Sequence, residues 1–369
     1  MVGLWRHPAE RVPFGASTNP GTPVRLLLIL IASWFAATAC HAELPTVEAI
    51  DALHADASAR IAAHRFDSLL AEADQDLQTQ ARFGDGRWKL AILLGGLRRG
   101  FAHNAQSPAE WQAYETELET LAARHPGSPN AWLFVAILAH SHAWAERGQG
   151  YADTVSDDSA AAFEHHLNRA RTLLDAHKAP ANPAWYALRL NVGGALGEGR
   201  ASLDALFSAA IKRQPDYVQT WQARENYLEP KWGGRIEDVV ALANLGNRTA
   251  SPGAGRGMMA EVLATALECN CNALLSHPGI DWAAVRASMD DILQRYPDDV
   301  NAQRYFFIAC EHADKSLVQH LLPSVKEPPS PTLIGANARV FELCRAWGQG
   351  KIASFAMRDH DTGEVKVVK

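Results

Sequence analysis

Four short stretches constrain this chain more than anything else in it: ARHPGSPNAW at 123–132, KAPANPAW at 178–185, KRQPDYVQTW at 212–221 and QRYPDDVNAQRYF at 294–306. Each closes one amphipathic segment with a basic residue and a proline, then opens another within a few residues. A cation suits the C-terminal end of a helix, where the backbone dipole is negative, and a proline just beyond it cannot continue the helix. The aromatic residue about a turn into the next segment is placed to pack back on the hairpin just completed. Between the junctions, apolar residues recur every three or four positions, which is the helical period. A succession of short helices folded back on one another is therefore expected. No strand-like alternation of any length competes until Glu364-Val365-Lys366-Val367-Val368, a tail that reads first as frayed and second as a short strand.

Individual helix boundaries follow from local chemistry. Ser107-Pro108-Ala109-Glu110 places a capping hydroxyl, an N1 proline and an early acid in the order that a helix start favours. Trp111, Tyr114, Leu118 and Leu121 continue that segment until His125-Pro126-Gly127. Residues 130–145 and 158–177 read as two further helices, and Asn182-Pro183-Ala184-Trp185 opens another. The 47% hydrophobic and 21% charged content is that of a folded chain rather than a disordered one. Most of the 11 tryptophans fall inside helical patterns, where large rings fill seams between helices.

From Pro183 to Pro215 is 32 residues, close to the roughly 34 of a tetratricopeptide repeat. The other intervals are longer and irregular, so the chain resembles a degenerate array of that type with insertions. The expected fold class is all-α, an irregular array of antiparallel helix hairpins stacked as a tetratricopeptide-like solenoid or superhelix. A helical-repeat domain is expected over 43–250, further helical hairpins over 251–355 and a tail over 356–369. The best loops are 249–257 and 326–331, with a third at 148–158 that exposes Tyr151.

Residues 1–42 differ from the rest. A polar start with Arg6, Arg11 and Arg25 leads into an apolar run from Leu26 to Ala37, too short to span a bilayer comfortably and ending in small residues. This reads as a signal peptide. Cleavage after Cys40-His41-Ala42 would give a periplasmic or secreted protein. Ala37-Thr38-Ala39-Cys40 resembles a lipobox, which would leave a lipidated Cys40 and an outer-membrane lipoprotein. An uncleaved signal anchor is a third reading. Without residues 1–42, which carry three Arg and one Glu, the formal charge moves from −6 to −8. A mildly acidic chain without a basic stripe offers no counterion release, which disfavours nucleic acid as a partner.

Four cysteines then remain, Cys269, Cys271, Cys310 and Cys344. An even number in an oxidising compartment points to disulfides. Cys269 and Cys271 are too close to suit one another, so cross-links from them to Cys310 and Cys344 are expected. Free buried thiols are a second reading, and a zinc site a third with weak spacing.

One stretch breaks the helical pattern, ENYLEPKWGGR at 225–235. Pro230 disfavours helical geometry at Glu229, so the helix containing Trp221 and Tyr227 should finish near Leu228. Gly233 and Gly234 permit positive φ and close backbone approach, and helical spacing resumes at Ile236. Trp232 sits at the apex of this corner. Either it folds back as a staple into the core, or Tyr227, Lys231 and Trp232 line a groove for a peptide or glycan. Tyr227-Leu228-x-Pro230-Lys231-Trp232-Gly233-Gly234, after the Pro215 and Trp221 helix start, resembles the motif of a bacterial family of exported, tetratricopeptide-like domains of unknown function. The resemblance covers about 85–250, and implies fold and export but no chemistry. Ser often follows the paired glycines in that family; here Arg235 does.

Signatures of catalysis are missing. The chain has no Gly-x-Ser-x-Gly elbow, His-Glu-x-x-His helix or phosphate-binding glycine loop. His140-Ser141-His142 and Glu164-His165-His166 are spaced so that neither set shares one helix face. Asp157-Asp158, Asp290-Asp291 and Asp298-Asp299 lie near expected helix boundaries, where acids cap. A helical muramidase would carry a catalytic Glu followed by Ser, and no such dipeptide occurs. No cofactor and no metal are expected. The expected function is a protein- or peptide-binding module of the bacterial envelope. A cell-wall hydrolase is the enzyme alternative, and a structural or immunity-type accessory of a secretion system the third.

Overall fold

The basic–proline junctions end and restart helices as their chemistry dictates. The first lies between α4 (Pro108–Arg124) and α5 (Ala131–Arg147), the second between α6 (Asp157–Ala176) and α7 (Pro183–Ala195). The third separates α8 (Arg200–Arg213) from α9 (Val218–Asn226), the fourth α12 (Trp282–Arg295) from α13 (Asp299–Glu311). This computed structural model describes residues 45–148, 150, 154–268, 272–325, 338–358 and 365–369. Helices α1 (Thr46–Ala62), α2 (Phe66–Thr79) and α3 (Lys89–Asn104) precede the first junction, and α10 (Ile236–Arg248) and α11 (Met258–Glu268) precede α12. The series continues with α14 (Lys315–Leu321) and α15 (Ala338–Gly348). Among the described residues the protein is all-α apart from a short hairpin near the C-terminus.

The caps are made by the residues that the sequence offers. Ser107 Oγ accepts from Glu110 N at 3.3 Å, and the Glu110 carboxylate reaches back to accept from Gln106 N, one residue before the cap, at 2.8 Å. Asn182 Oδ1 accepts from Ala184 N at 3.0 Å, and Asp298 Oδ1 from Val300 N at 2.8 Å. The junction tryptophans tie each new helix to what precedes it. Trp185 Nε1 donates to Leu174 O at 3.0 Å, and Trp221 Nε1 to Pro215 O at 2.8 Å. A polar ladder also links segments of successive helix pairs: Asn182 Nδ2 donates to Asn130 Oδ1, and Asn130 Nδ2 to Asp74 Oδ1, each at 2.8 Å. Asn130 and Asn182 are both fully buried, so these bonds replace water that the site excludes.

Helices pack with their hairpin partners and also in a second series, in which α3, α5, α7, α9 and α11 touch one another in turn. One apolar core runs from Ala57 to Tyr217. A second draws Leu190, Leu203, Phe207 and Trp221 together with the residues of α10 to α15. Contacts between distant segments are superimposed on this neighbour-to-neighbour packing. Thr46 Oγ1 donates to Asp298 Oδ2 at 2.6 Å, Asn301 Nδ2 to Asp85 O at 3.1 Å, and Arg82 pairs with Asp216 at 2.7 Å. The α2–α3 connection thereby reaches the third and fourth junctions.

Two expectations change at the C-terminal end. Cys310 and Cys344 lie at disulfide geometry with each other, with a Cα–Cα distance of 5.8 Å, rather than each bonding Cys269 or Cys271. Side-by-side placement of α13 and α15 brings them together, a juxtaposition that linear spacing does not encode; Cys269 and Cys271 lie outside the described residues. The tail is also a strand rather than frayed chain. β1 (Phe355–Arg358) pairs antiparallel with β2 (Val365–Val368), with Phe355 opposite Val368. Met357 and Val368 are buried on one face while Val365 and Val367 face solvent, and burial of that single face holds the hairpin. Residues 1–44, with the signal segment and Cys40, and the 326–331 loop lie outside the described residues, as does Tyr151.

Candidate functional site: the aromatic corner

The corner at 225–235 is built by its proline and glycines. α9 ends at Asn226, two residues earlier than the proline alone requires. Pro230–Trp232 then forms a single 3₁₀ turn, with Trp232 N donating to Glu229 O at 3.0 Å. Gly233 has φ +81°, a left-handed conformation that glycine adopts without steric cost. A β-carbon on Gly234 would collide with the Leu228 carbonyl. The two glycines thus serve different needs, one a turn and the other a close approach. Ion pairs brace the exit: Arg200 donates to both carboxylate oxygens of Asp238 at 2.7 and 2.8 Å, and Arg235 stands 3.6 Å from the same group. Those guanidinium bonds, Arg200 foremost, hold the Asp238 carboxyl down at about 2.

Trp232 is not a core staple. It is 40% exposed, whereas Trp88, Trp221 and Trp347 are fully buried. Trp221 carries the packing task, edge-on to Phe207 at 5.1 Å. Tyr227 is largely enclosed, and burial pushes its phenol up to about 12. Its ring fits over Gly194 of α7, where any side chain would overlap it. Pro230 is exposed on the turn, and Lys231 belongs to the same turn by its backbone.

The structure brings in partners that spacing along the sequence did not indicate. Trp232 meets Tyr227 at 5.4 Å and Trp144 of α5 edge-on at 6.3 Å. Trp144 in turn packs edge-on against Phe163 of α6 at 5.0 Å, and the Arg147 guanidinium lies over both rings. Trp144 Nε1 donates to His140 Nε2 at 3.1 Å. That proton acceptor must be neutral, and complete burial with the nearby Arg98 charge pushes His140 down to about 3. The result is a firm aromatic surface formed by α5, α6 and the corner, with the Trp232 ring as its open edge. Gly194, late in a helix pattern, was the one sequence signal for the ring placed over it.

The histidine and aspartate clusters resolve differently. His142 of α5 stacks on His166 of α6 with centroids 3.7 Å apart, and Trp111 stacks on the other side of His142 at 4.3 Å. Neither pair shares a face within one helix; the contact arises between helices. Burial first, then the charges of His142 and His165, push His166 down to about 4. Among the described residues no group of three or more His, Cys, Asp or Glu is arranged to hold a metal. Asp157 and Asp158 occupy the first turn of α6, and Asp298 caps α13. Asp290 and Asp291, expected near a boundary, lie inside α12 and bond across to Tyr305 Oη at 3.1 Å and Arg256 N at 2.8 Å.

No protein-family model, no curated protein and no solved structure matches this chain.

Proposed function

We propose that this protein is an exported helical-repeat module of tetratricopeptide type that binds a protein or peptide partner at the aromatic corner. The observation that supports it is Trp232, an exposed indole held in a fixed pose by a 3₁₀ turn, Tyr227 and Trp144. Tryptophan, tyrosine and arginine supply most of the binding energy at protein interfaces, because a rigid ring buries much area at little entropic cost. Trp232, Trp144, Tyr227 and Arg147 are of those types. The second contact series, α3 to α5 to α7 to α9 to α11, supports the repeat reading. Export follows from residues 1–42 and from the resemblance carried by the Lys231-Trp232-Gly233-Gly234 corner. Among the described residues no helix is long and apolar enough to cross a membrane.

The test compares the mature wild-type chain with Trp232→Ala as baits against an envelope extract, followed by calorimetric titration of whatever the wild type enriches. The expected result is a partner whose affinity falls at least about tenfold with Trp232→Ala, a loss of about 1.4 kcal/mol or more. Equal capture by both baits, or none by either, contradicts the reading. Release of fragments from purified peptidoglycan that one Glu→Gln change abolishes would replace it with an envelope hydrolase.

A further inference from the structure

Charged side chains in the interior of this protein are usually paired. Arg82 meets Asp216, Arg224 meets Asp204, and Arg189 meets Asp175 and Glu198. Arg98 of α3 differs from them in being exposed. It forms no ion pair or hydrogen bond with any of the described residues. It lines an open pocket between α3, α5, α7 and the start of α9. It remains exposed to solvent, yet protein surrounds it so closely that lost hydration, aided by the charge of Arg99, lowers its pKa. A residue that is both exposed and surrounded sits in a concavity.

The pocket walls say what that concavity suits. Gly95 and Ala187 are small residues of its lining, and Leu94 and Leu188 add apolar wall. The Tyr217 ring is buried beside Trp88 at 5.4 Å, and Gln219 lines the same pocket with an amide whose NH₂ end can donate to a carboxylate. Protein walls around a concave cation focus its field toward the opening, which draws an anion in. One guanidinium balances one negative charge; a phosphate dianion would leave a net charge against apolar walls, which is costly. The planar fork of Arg also matches a carboxylate with two parallel bonds.

We infer that this pocket binds a carboxylate carried on a small apolar group, with Arg98 as its charge partner and the aliphatic walls enclosing the apolar part. A short branched acid and the C-terminal residue of a peptide share that chemistry. The site is separate from the aromatic corner and does not depend on its role.

Nuclear magnetic resonance titration of the mature chain, read at the Gly95 amide and the Gln219 side-chain NH₂, tests it with four probes: isovalerate, N-acetyl-Ala-Leu, the amide of that dipeptide, and inorganic phosphate. The two acids are expected to give saturable shifts, with the amide and phosphate at least about tenfold weaker. Arg98→Gln should abolish the shifts while keeping the wild-type melting temperature and helical circular dichroism. Trp232→Ala should retain them even if the corner proves to bind nothing. A dipeptide acid tenfold tighter than isovalerate assigns the site to peptide C-termini, and equal affinities assign it to free acids. Either outcome supports the pocket as a carboxylate site. Absence of saturable shifts from both acids, equal binding of acid and amide, or unchanged binding by Arg98→Gln overturns it.

Discussion

His140 illustrates how one buried residue sets a property of the folded state. Its folded pKa of about 3 lies below the ordinary value of 6.5, so as pH falls the unfolded chain takes up the proton first. Its contribution is fully present above about pH 6.5 and is lost as pH falls toward 3, by about 1.4 kcal/mol per unit. His166, pushed to about 4, acts in the same direction with a smaller, solvent-screened effect. Asp76 opposes them: burial and Glu72 raise it to about 6, so its contribution is lost as pH rises from 3.8 to 6. The histidines outnumber it, since His54, His142 and His312 are lowered too. Urea unfolding at pH 7, 6 and 5 should show stability declining stepwise, and a flat or rising profile would contradict these assignments. At Gly234 the expected effect is steric. Gly234→Ala should cost roughly 2 kcal/mol or more by forcing the turn apart at the Leu228 carbonyl, whereas a loss under about 0.5 kcal/mol in the same urea assay would show that the approach is not tight. Both glycines were legible from the chain as conformational necessities. The identity of the ring over Gly194 was not, because a gap in one helix does not name the side chain that fills it.

Helix starts and stops were the most legible elements, since Ser107, Asn182 and the basic–proline junctions act within a few residues of themselves. Whatever depended on two elements meeting was not. The His142–His166 stack, the Trp144–Trp232 contact and the Cys310–Cys344 pairing are set by helix packing, and none has a signature along the sequence. The β1–β2 hairpin was legible only as a second reading for a related reason: its four-residue strands are held by burial of Met357 and Val368, which the sequence of the tail alone does not show. The disulfide closes a loop of 34 residues between α13 and α15, and a loop of that size restricts the unfolded chain by roughly 3–4 kcal/mol. A Cys310→Ser, Cys344→Ser double variant should therefore lose about that much stability by urea titration. Loss of less than about 1 kcal/mol would mean that the unfolded chain is little constrained by it.

For the whole molecule, contacts join segments that lie far apart in the chain. Arg82–Asp216, Thr46–Asp298 and Asn301–Asp85 connect residues 134 to 252 positions apart, so unfolding of one end should propagate to the other. Asp216→Ala leaves the Arg82 guanidinium, itself largely buried, without its carboxylate. It should cost about 3 kcal/mol and lower the cooperativity of unfolding followed by two probes. On that scaffold the central proposal is a division of labour at the corner, in which Trp221 holds the fold and Trp232 is left for a partner. Equilibrium urea unfolding of Trp221→Ala and Trp232→Ala beside the wild type tests it most directly. Trp221→Ala should cost about 3–5 kcal/mol, as removal of a buried indole does, and Trp232→Ala less than about 2 kcal/mol. Equal and large losses for the two variants would make Trp232 part of the core and contradict the account.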